Sequence, residues 1–522
     1  MYKRIIIATA LVAGALQAYA QLTPQYYNNA LLFSSQFYDG TARSVAMGNA
    51  MTALGGDLGA LSYNPAASGV YRYTEITLTP SVYSSIANSS FLNNTMQSDK
   101  SRLSLSNVGW VGSFETGRTR GLVNFNFAIT ANQSNNFAWR SSGSGIQNSS
   151  SYLGSIAAGM SATGVDANSL TMPENDPTLP FYRNPSSWVL GWNTGLIDTV
   201  TNGTFKGATE NVNGSNFNIP GSLNQSYYRE RTGYVEDIIF NFAGNVSDIF
   251  FFGVNLTLQS IWMNEYTSIS ETAANPSLFD SGFTDFTREY RMTTSGLGVN
   301  VEAGFIVRPV AGLTIGGSIS TPTWMFLNET WMESMNGNTE FGRTAIDSPL
   351  GESSYRITSP FRWNVGVGYT VGGFLALAVD YERTNYSNIV LADNSGNSSL
   401  YQADNEYIST YYRAVNNVRA GIEAWPIPQL ALRLGYNYYS SPIEHYNNNL
   451  PDRDFDLSRH YASAGIGFRA LSGFFIDLAY QQQCNQSLSS FQLYDNYDSF
   501  TAPIADERFR DWKILLTLGW RF

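Results

Sequence analysis

Hydrophobic and polar residues alternate with a period of two along most of this 522-residue chain. The C-terminal segment shows it most plainly. Trp512, Ile514, Leu516, Leu518, Trp520 and Phe522 fall on one face, and Lys513, Leu515, Thr517, Gly519 and Arg521 on the other. Successive strand side chains point to opposite faces, so this segment has one greasy side and one mostly wet side. Arg120 to Asn132 repeats the pattern, with Val123, Phe125, Phe127 and Ile129 against Asn124, Asn126, Ala128 and Thr130. From Tyr355 to Thr370, Ile357, Phe361, Trp363, Val365, Val367 and Tyr369 oppose Arg356, Thr358, Arg362, Asn364, Gly366 and Gly368.

The alternation predicts fourteen strands. They fall at about 72–84, 101–116, 120–132, 234–245, 249–266, 285–308, 311–328, 354–371, 373–390, 410–424, 429–441, 459–470, 473–486 and 508–522. Short links at 116–120, 245–249, 308–312, 371–373, 424–429 and 470–473 alternate with long polar ones. An even number of antiparallel strands with short turns at one end and long loops at the other is the pattern of a bacterial outer-membrane barrel. The expected fold is all-β: a 14-stranded antiparallel transmembrane barrel over 72–522, with both ends of the wall on the periplasmic side.

One link is anomalous. About a hundred residues, 133–233, form a long external loop rich in Asn, Ser, Gly and Thr. Within it Tyr152, Ile156 and Met160, and again Trp188, Trp192 and Leu196, recur at helical spacing. Two short helices roofing the barrel mouth would offer an apolar landing site; the alternative is that they simply pack on one another.

Composition agrees with a membrane barrel. Aromatic and charged residues are each 14% of the chain, the latter well below the roughly 25% of soluble domains. No run of about 20 apolar residues occurs beyond the N-terminus, which excludes helical spans. Residues 1–20 read as a signal peptide: a basic start at Lys3-Arg4, an apolar run, then Ala18-Tyr19-Ala20, with cleavage before Gln21. Loss of Lys3 and Arg4 moves the net charge from −11 to −13, which removes any electrostatic case for nucleic acid. The lone Cys484 rules out an intramolecular disulfide. The expected location is the outer membrane of a Gram-negative cell, in contact with its lipid.

Residues 21–71 do not alternate. Gly40 to Ala66 is dense in small residues and closes on Asn64-Pro65-Ala66, which suits a plug whose backbone packs closely on the inner wall. Here the chain resembles the outer-membrane transporters of long-chain fatty acids and aromatic hydrocarbons, the FadL/TodX type. The matching pieces are Ala42-Arg43, Ala46-Met47-Gly48, Ala50, Asp57, Ala60 and Asn64-Pro65-Ala66. Asn49 and Gly59 depart from the family's usual Gly and Ser, and Gln21 to Asp39 is a longer lead-in than the best-known members carry. The resemblance implies an N-terminal hatch inside the barrel beside an apolar pocket, with Arg43, Met47, Gly48, Asp57, Asn64, Pro65 and Ala66 as gate residues. It implies passive uptake of hydrophobic small molecules such as long-chain fatty acids, released by hatch movement or through the wall. It also makes Phe522 the residue read by the barrel-assembly machinery.

Chemistry is sparse. An enzyme needs a nucleophile and base or a metal, and the only histidines, His445 and His460, are expected in the loop between strands eleven and twelve. They read as solvated loop residues, with haem ligation in a surface receptor or adhesin as the alternative function. No cofactor, metal site or enzymatic activity is expected. The alternation turns Arg362, Asp380, Glu382, Arg419, Glu423, Arg433, Arg469, Asp477 and Lys513 inward. Such residues pair with one another or, for an arginine or two, meet a ligand carboxylate. Arg43 and Asp57 are expected to tie the hatch to them. No segment for energy coupling is recognised near Gln21, a monomer is expected, and a hatch argues against an open porin.

Overall fold

The computed structural model describes residues 26–200, 203–213, 216–443, 456–470, 472–497 and 500–522. The expected signal peptide, its cleavage site and His445 fall outside them. Fourteen antiparallel strands close on themselves: β1 (Glu75–Phe91), β2 (Asn94–Glu115), β3 (Leu122–Asn136, continued by Trp139–Gln147), β4 (Leu223–Val246), β5 (Phe250–Ala273), β6 (Asp285–Val310), β7 (Leu313–Ser320 and Trp324–Thr339), β8 (Gly351–Thr358 and Arg362–Val371), β9 (Leu375–Asn385), β10 (Ala414–Ile427), β11 (Leu430–Tyr439), β12 (Arg459–Arg469), β13 (Phe474–Gln483) and β14 (Ile504–Arg521). Each pairs with the next, and β14 pairs with β1 from Arg521↔Glu75 to Asp506↔Ser90. The seam is fastened at its base, where Thr74 and Phe522 exchange backbone hydrogen bonds of 3.1 and 3.0 Å. Closure pairs the first strand with the last, so neither is left as a free sheet edge in lipid.

The outward row of β5 shows where the lipid ends. Phe250, Phe252, Val254, Leu256 and Leu258 are exposed, Trp262 follows, and the row then turns polar at Asn264, Tyr266, Ser268, Ser270 and Thr272. Twelve residues of tilted strand cover roughly 30 Å, about the height of an apolar band. The outward Trp512-to-Phe522 row of β14 lies in the same belt.

Beyond the belt the strands run on. The 133–233 loop shrinks to 148–222, because β3 continues to Gln147 and β4 begins at Leu223. The first external loop is a tight turn at Leu92-Asn93, both at positive φ, as a two-residue hairpin link demands. Above the lipid the outward row is polar, so the contrast between the two faces fades although the ladder persists. That explains why periodicity ended these strands too early.

A second departure concerns β7 and β8. Both break at one level, at Thr321-Pro322-Thr323 and Ser359-Pro360-Phe361, and are rejoined there by Ser359 N–Thr323 O (2.9 Å) and Thr323 N–Ser359 Oγ (2.8 Å). Proline supplies no ladder donor. The parity of the faces flips across the break: Arg362 and Asn364 point inward below it, and Tyr355 and Ile357 point inward above it. Ile357 therefore faces the lumen, not the lipid row of Trp363 and Val365.

The described residues also form six α-helices: α1 (Tyr26–Ser34), α2 (Ala42–Ala46), α3 (Tyr152–Thr163), α4 (Ala167–Leu170), α5 (Ser186–Asn193) and α6 (Gln402–Tyr411). Among the described residues no helix is long and apolar enough to cross a membrane. α1 and α2 lie inside the barrel, α3 to α5 in the external cap, and α6 in the β9–β10 loop.

Candidate functional site

The lumen is filled by residues 26–71 from the short-turn end of the barrel upward. From Ala42 to Ala67 nearly every side chain is buried. This stretch has little regular structure, so its backbone groups need partners from elsewhere. Inward asparagines of the wall supply them. Asn132 donates to Leu58 O (3.2 Å), Asn255 to Leu61 O (2.9 Å) and Asn241 to Pro65 O (2.8 Å). Ser318 donates to Tyr63 O (2.6 Å), and Thr517 accepts from Ala42 N (2.7 Å). Asn64 holds the closing turn, accepting from Ala66 N and donating to Thr52 O (2.7 Å) and Phe305 O (2.9 Å).

Wall glycines let this backbone come close. A Cβ on Gly435 would lie 2.0 Å from Gly48 N, on Gly421 2.2 Å from Met47 O, on Gly316 2.2 Å from Thr52 O and on Gly253 2.3 Å from Pro65 O. Gly48 itself has φ +60, and any Cβ there would strike Ala420 O and Tyr436 N at 2.6 Å. Strand alternation turns these asparagines and glycines inward, yet a period of two carries no sign that they meet a plug.

Charged residues fasten the layer. Arg43 and Glu423 pair at 2.8 Å, Glu423 takes a second guanidinium from Arg433 (2.7 Å), and Arg433 reaches Asp477 (2.5 Å). Thr52 N donates to Asp380 (2.8 Å), and Asp39 pairs with Lys513. Just above, Arg362–Glu302 (2.9 Å) and Arg419–Glu382 (3.0 Å) lay their guanidinium groups over the rings of Tyr38 and Tyr63. Arg469 is half-buried near the periplasmic end. Arg362, Arg419 and Arg433 thus sit in wall ion pairs rather than facing open space for a ligand carboxylate. Asp57 does not tie the hatch to the wall. It accepts from Thr41 Oγ1 and Gly59 N (2.8 Å each), staples the hatch to itself, and burial raises its carboxyl above the ordinary range against the pull of Arg43.

Cavities of about 30 and 20 Å³ lie in this layer. Each has room for a water or two.

The wall is discontinuous beside the plug. β2 and β3 pair from Glu115↔Asn124 up to Asn107↔Asn132 and no further. Above that level β3 bulges at Gln133–Asn135 and keeps its ladder to β4, while residues 101–106 of β2 lose their partner on that side. The freed edge of β3 is taken by the plug: Phe37 N donates to Ser134 O and Asp39 N to Gln133 O, both at 2.8 Å. Arg102 crosses the gap to Gly233 O at 2.7 Å.

The predicted landing-site residues are placed in the cap. Tyr152, Ile156, Met160 and Leu196 are buried in one cluster with Leu153, Val189, Phe283 and Leu493, with Trp188 and Trp192 half-buried at its margin. His460 stands on β12, not in a loop, and its Nδ1 lies 2.6 Å from Tyr436 Oη among outward aromatics. Among the described residues no three His, Cys, Asp or Glu side chains gather as a metal site.

No protein-family model matches the sequence, and no characterised protein matches it by sequence search. Solved structures do match its fold. A FadL homologue of Pseudomonas aeruginosa superposes with a TM-score of 0.55 at 14% identity, over 94% of this chain and 100% of that one. The toluene transporter TodX of P. putida gives 0.50 at 12% identity, over 92% and 98%. Identities this low speak for the fold alone: the chain has the FadL-type barrel fold.

Proposed function

We propose that this chain, built on the FadL-type barrel, is an outer-membrane channel for passive uptake of hydrophobic compounds, with residues 26–71 as its gate. The observation that carries the reading is the junction of plug and wall. The Phe37–Asp39 segment of the plug occupies the edge of β3 that β2 has left, so a shift of the plug and an opening of the wall are mechanically one event. An apolar molecule leaving there would enter lipid without crossing water. The named neighbours agree in kind, one being a toluene transporter and a variant of it a monoaromatic hydrocarbon channel. Met47, Gly48, Asn64, Pro65 and Ala66 act in this reading as the seat of the gate, and Arg43 with Glu423 as its latch. His460, facing outward, lends nothing to a haem receptor.

Deletion of residues 21–66 tests the gate. In planar bilayers the intact protein should pass little current, and the deletion should raise single-channel conductance at least tenfold. In proteoliposomes the intact protein should carry naphthalene without a proton gradient. Equal conductance of the two forms would sink the gate, and dependence of uptake on the gradient would sink the passive mechanism.

A further inference from the structure

The lumen above the ion-pair layer is apolar. Met325 and Leu327 of β7 and Tyr355 and Ile357 of β8 are turned inward by the paired proline breaks, and Ile261, Met263 and Met292 of β5 and β6 join them. Leu391, Ile408 and Tyr412 of the β9–β10 region close the top. A barrel interior facing water has no need of such a chamber. It is full, and its occupant is the chain itself: Ala30, Leu31 and Phe33 of α1 are buried in it, with Phe33 edge-on to Phe137 at 5.7 Å.

Polar ties hold the occupant along its length. Tyr26 Oη reaches Ser353 Oγ (3.1 Å), Tyr27 N donates to Asp404 (3.1 Å), and Tyr27 O accepts from Tyr412 Oη (2.9 Å). Deeper in, Asn29 Nδ2 donates to Glu329 Oε1 (2.8 Å), which also receives Tyr355 Oη (2.6 Å) and Thr294 Oγ1 (3.1 Å). The other oxygen of Glu329 is buried and has no partner among the described residues. A nine-residue helix does not persist alone in water, so α1 is ordered by docking and unravels once displaced.

We propose that α1 is a built-in stand-in for ligand: it fills the site that an incoming apolar molecule takes by displacing it. This rests on the channel reading and names its substrate class. Glu329 is an acceptor surrounded by donors, so the incoming molecule should be a long apolar body with a hydrogen-bond donor at its polar end, an alcohol, amide or amine, rather than a bare carboxylate. Displacement reaches the wall as well. Asn135 of β3 donates to Leu32 O (3.3 Å) and Ser35 O (3.0 Å) at the C-terminal end of α1, so release of the helix frees the bulged strand.

The test uses full-length protein in phosphatidylcholine nanodiscs, with diazirine-bearing hexadecanol and diazirine-bearing palmitate as probes. A Tyr26→Cys/Ser353→Cys pair in a Cys484→Ser background is bridged by a thiol-cleavable cross-linker to lock α1 in place. The alcohol should label inward Met325, Leu327, Tyr355 and Ile357 several-fold more than the acid does. The lock should cut that labelling at least tenfold, reductant should restore it, and Glu329→Gln should level the two probes. Chamber labelling that ignores the lock, or no labelling of these residues in the unlocked protein, overturns the inference. Equal labelling by both probes in the wild type overturns the donor rule. Uptake into proteoliposomes, measured in parallel, decides separately whether the channel reading falls too.

Discussion

At the scale of single residues, the inward charges were readable but their partners were not. Alternation is enough to turn Glu423 or Arg433 into the lumen. Which cation meets which anion depends on strand stagger and on a plug the pattern says nothing about. Glu423 shows the consequence, since it lies between Arg43 of the hatch and Arg433 of the wall. Removing one partner of a buried ion pair leaves uncompensated charge, at about 3–5 kcal/mol. Glu423→Ala should lower the thermal unfolding midpoint in detergent and raise channel conductance, whereas Arg43→Ala should loosen the plug with a smaller loss, because Arg433 would keep both carboxylates. A Glu423→Ala midpoint equal to wild type would show that the latch carries no strain. The glycines that admit the hatch are a different lesson. Gly421 and Gly435 occupy ordinary inward positions, and their need appears only when the backbone of Met47 and Gly48 is laid against them.

At the scale of elements, periodicity located all fourteen wall strands and misjudged how far they reach. It also missed the proline breaks, because Ile357 continued an apolar row that the break turns over. The cap shows an element whose helical spacing was legible and whose surroundings were not: its apolar positions face one another. Buried beside α3 is Glu210, which accepts from Gly207 N (2.6 Å) and is pushed up to about 7 by burial. A carboxyl with a raised folded value favours the folded cap below its unfolded value near 4.5 and loses that support as pH climbs through about 7. The full effect is roughly 3 kcal/mol. Limited proteolysis or hydrogen exchange of residues 151–213 should therefore accelerate between pH 5 and 8, and Glu210→Gln should make it flat. An unchanged pH response in the variant would assign the effect elsewhere.

At the scale of the whole molecule, the barrel is a continuous ladder that stops between β2 and β3 at Asn107↔Asn132. Hydrogen exchange in nanodiscs should read this directly. Alternate amides of Ser101–Ser106, those turned toward β3, should exchange orders of magnitude faster than their equivalents in 107–115; uniform protection along β2 would mean the wall is closed in the membrane. The sequence by itself determined the membrane, the strand count, the side on which the wall begins and ends, and the presence of a non-alternating segment before it. These follow from local rules, because each residue's face depends only on its neighbours along one strand. How the lumen is filled was decided only in three dimensions. Which asparagine satisfies which hatch carbonyl, where the wall parts, and that α1 lies in an apolar chamber all depend on contacts between residues hundreds of positions apart, and a period of two contains no information about those.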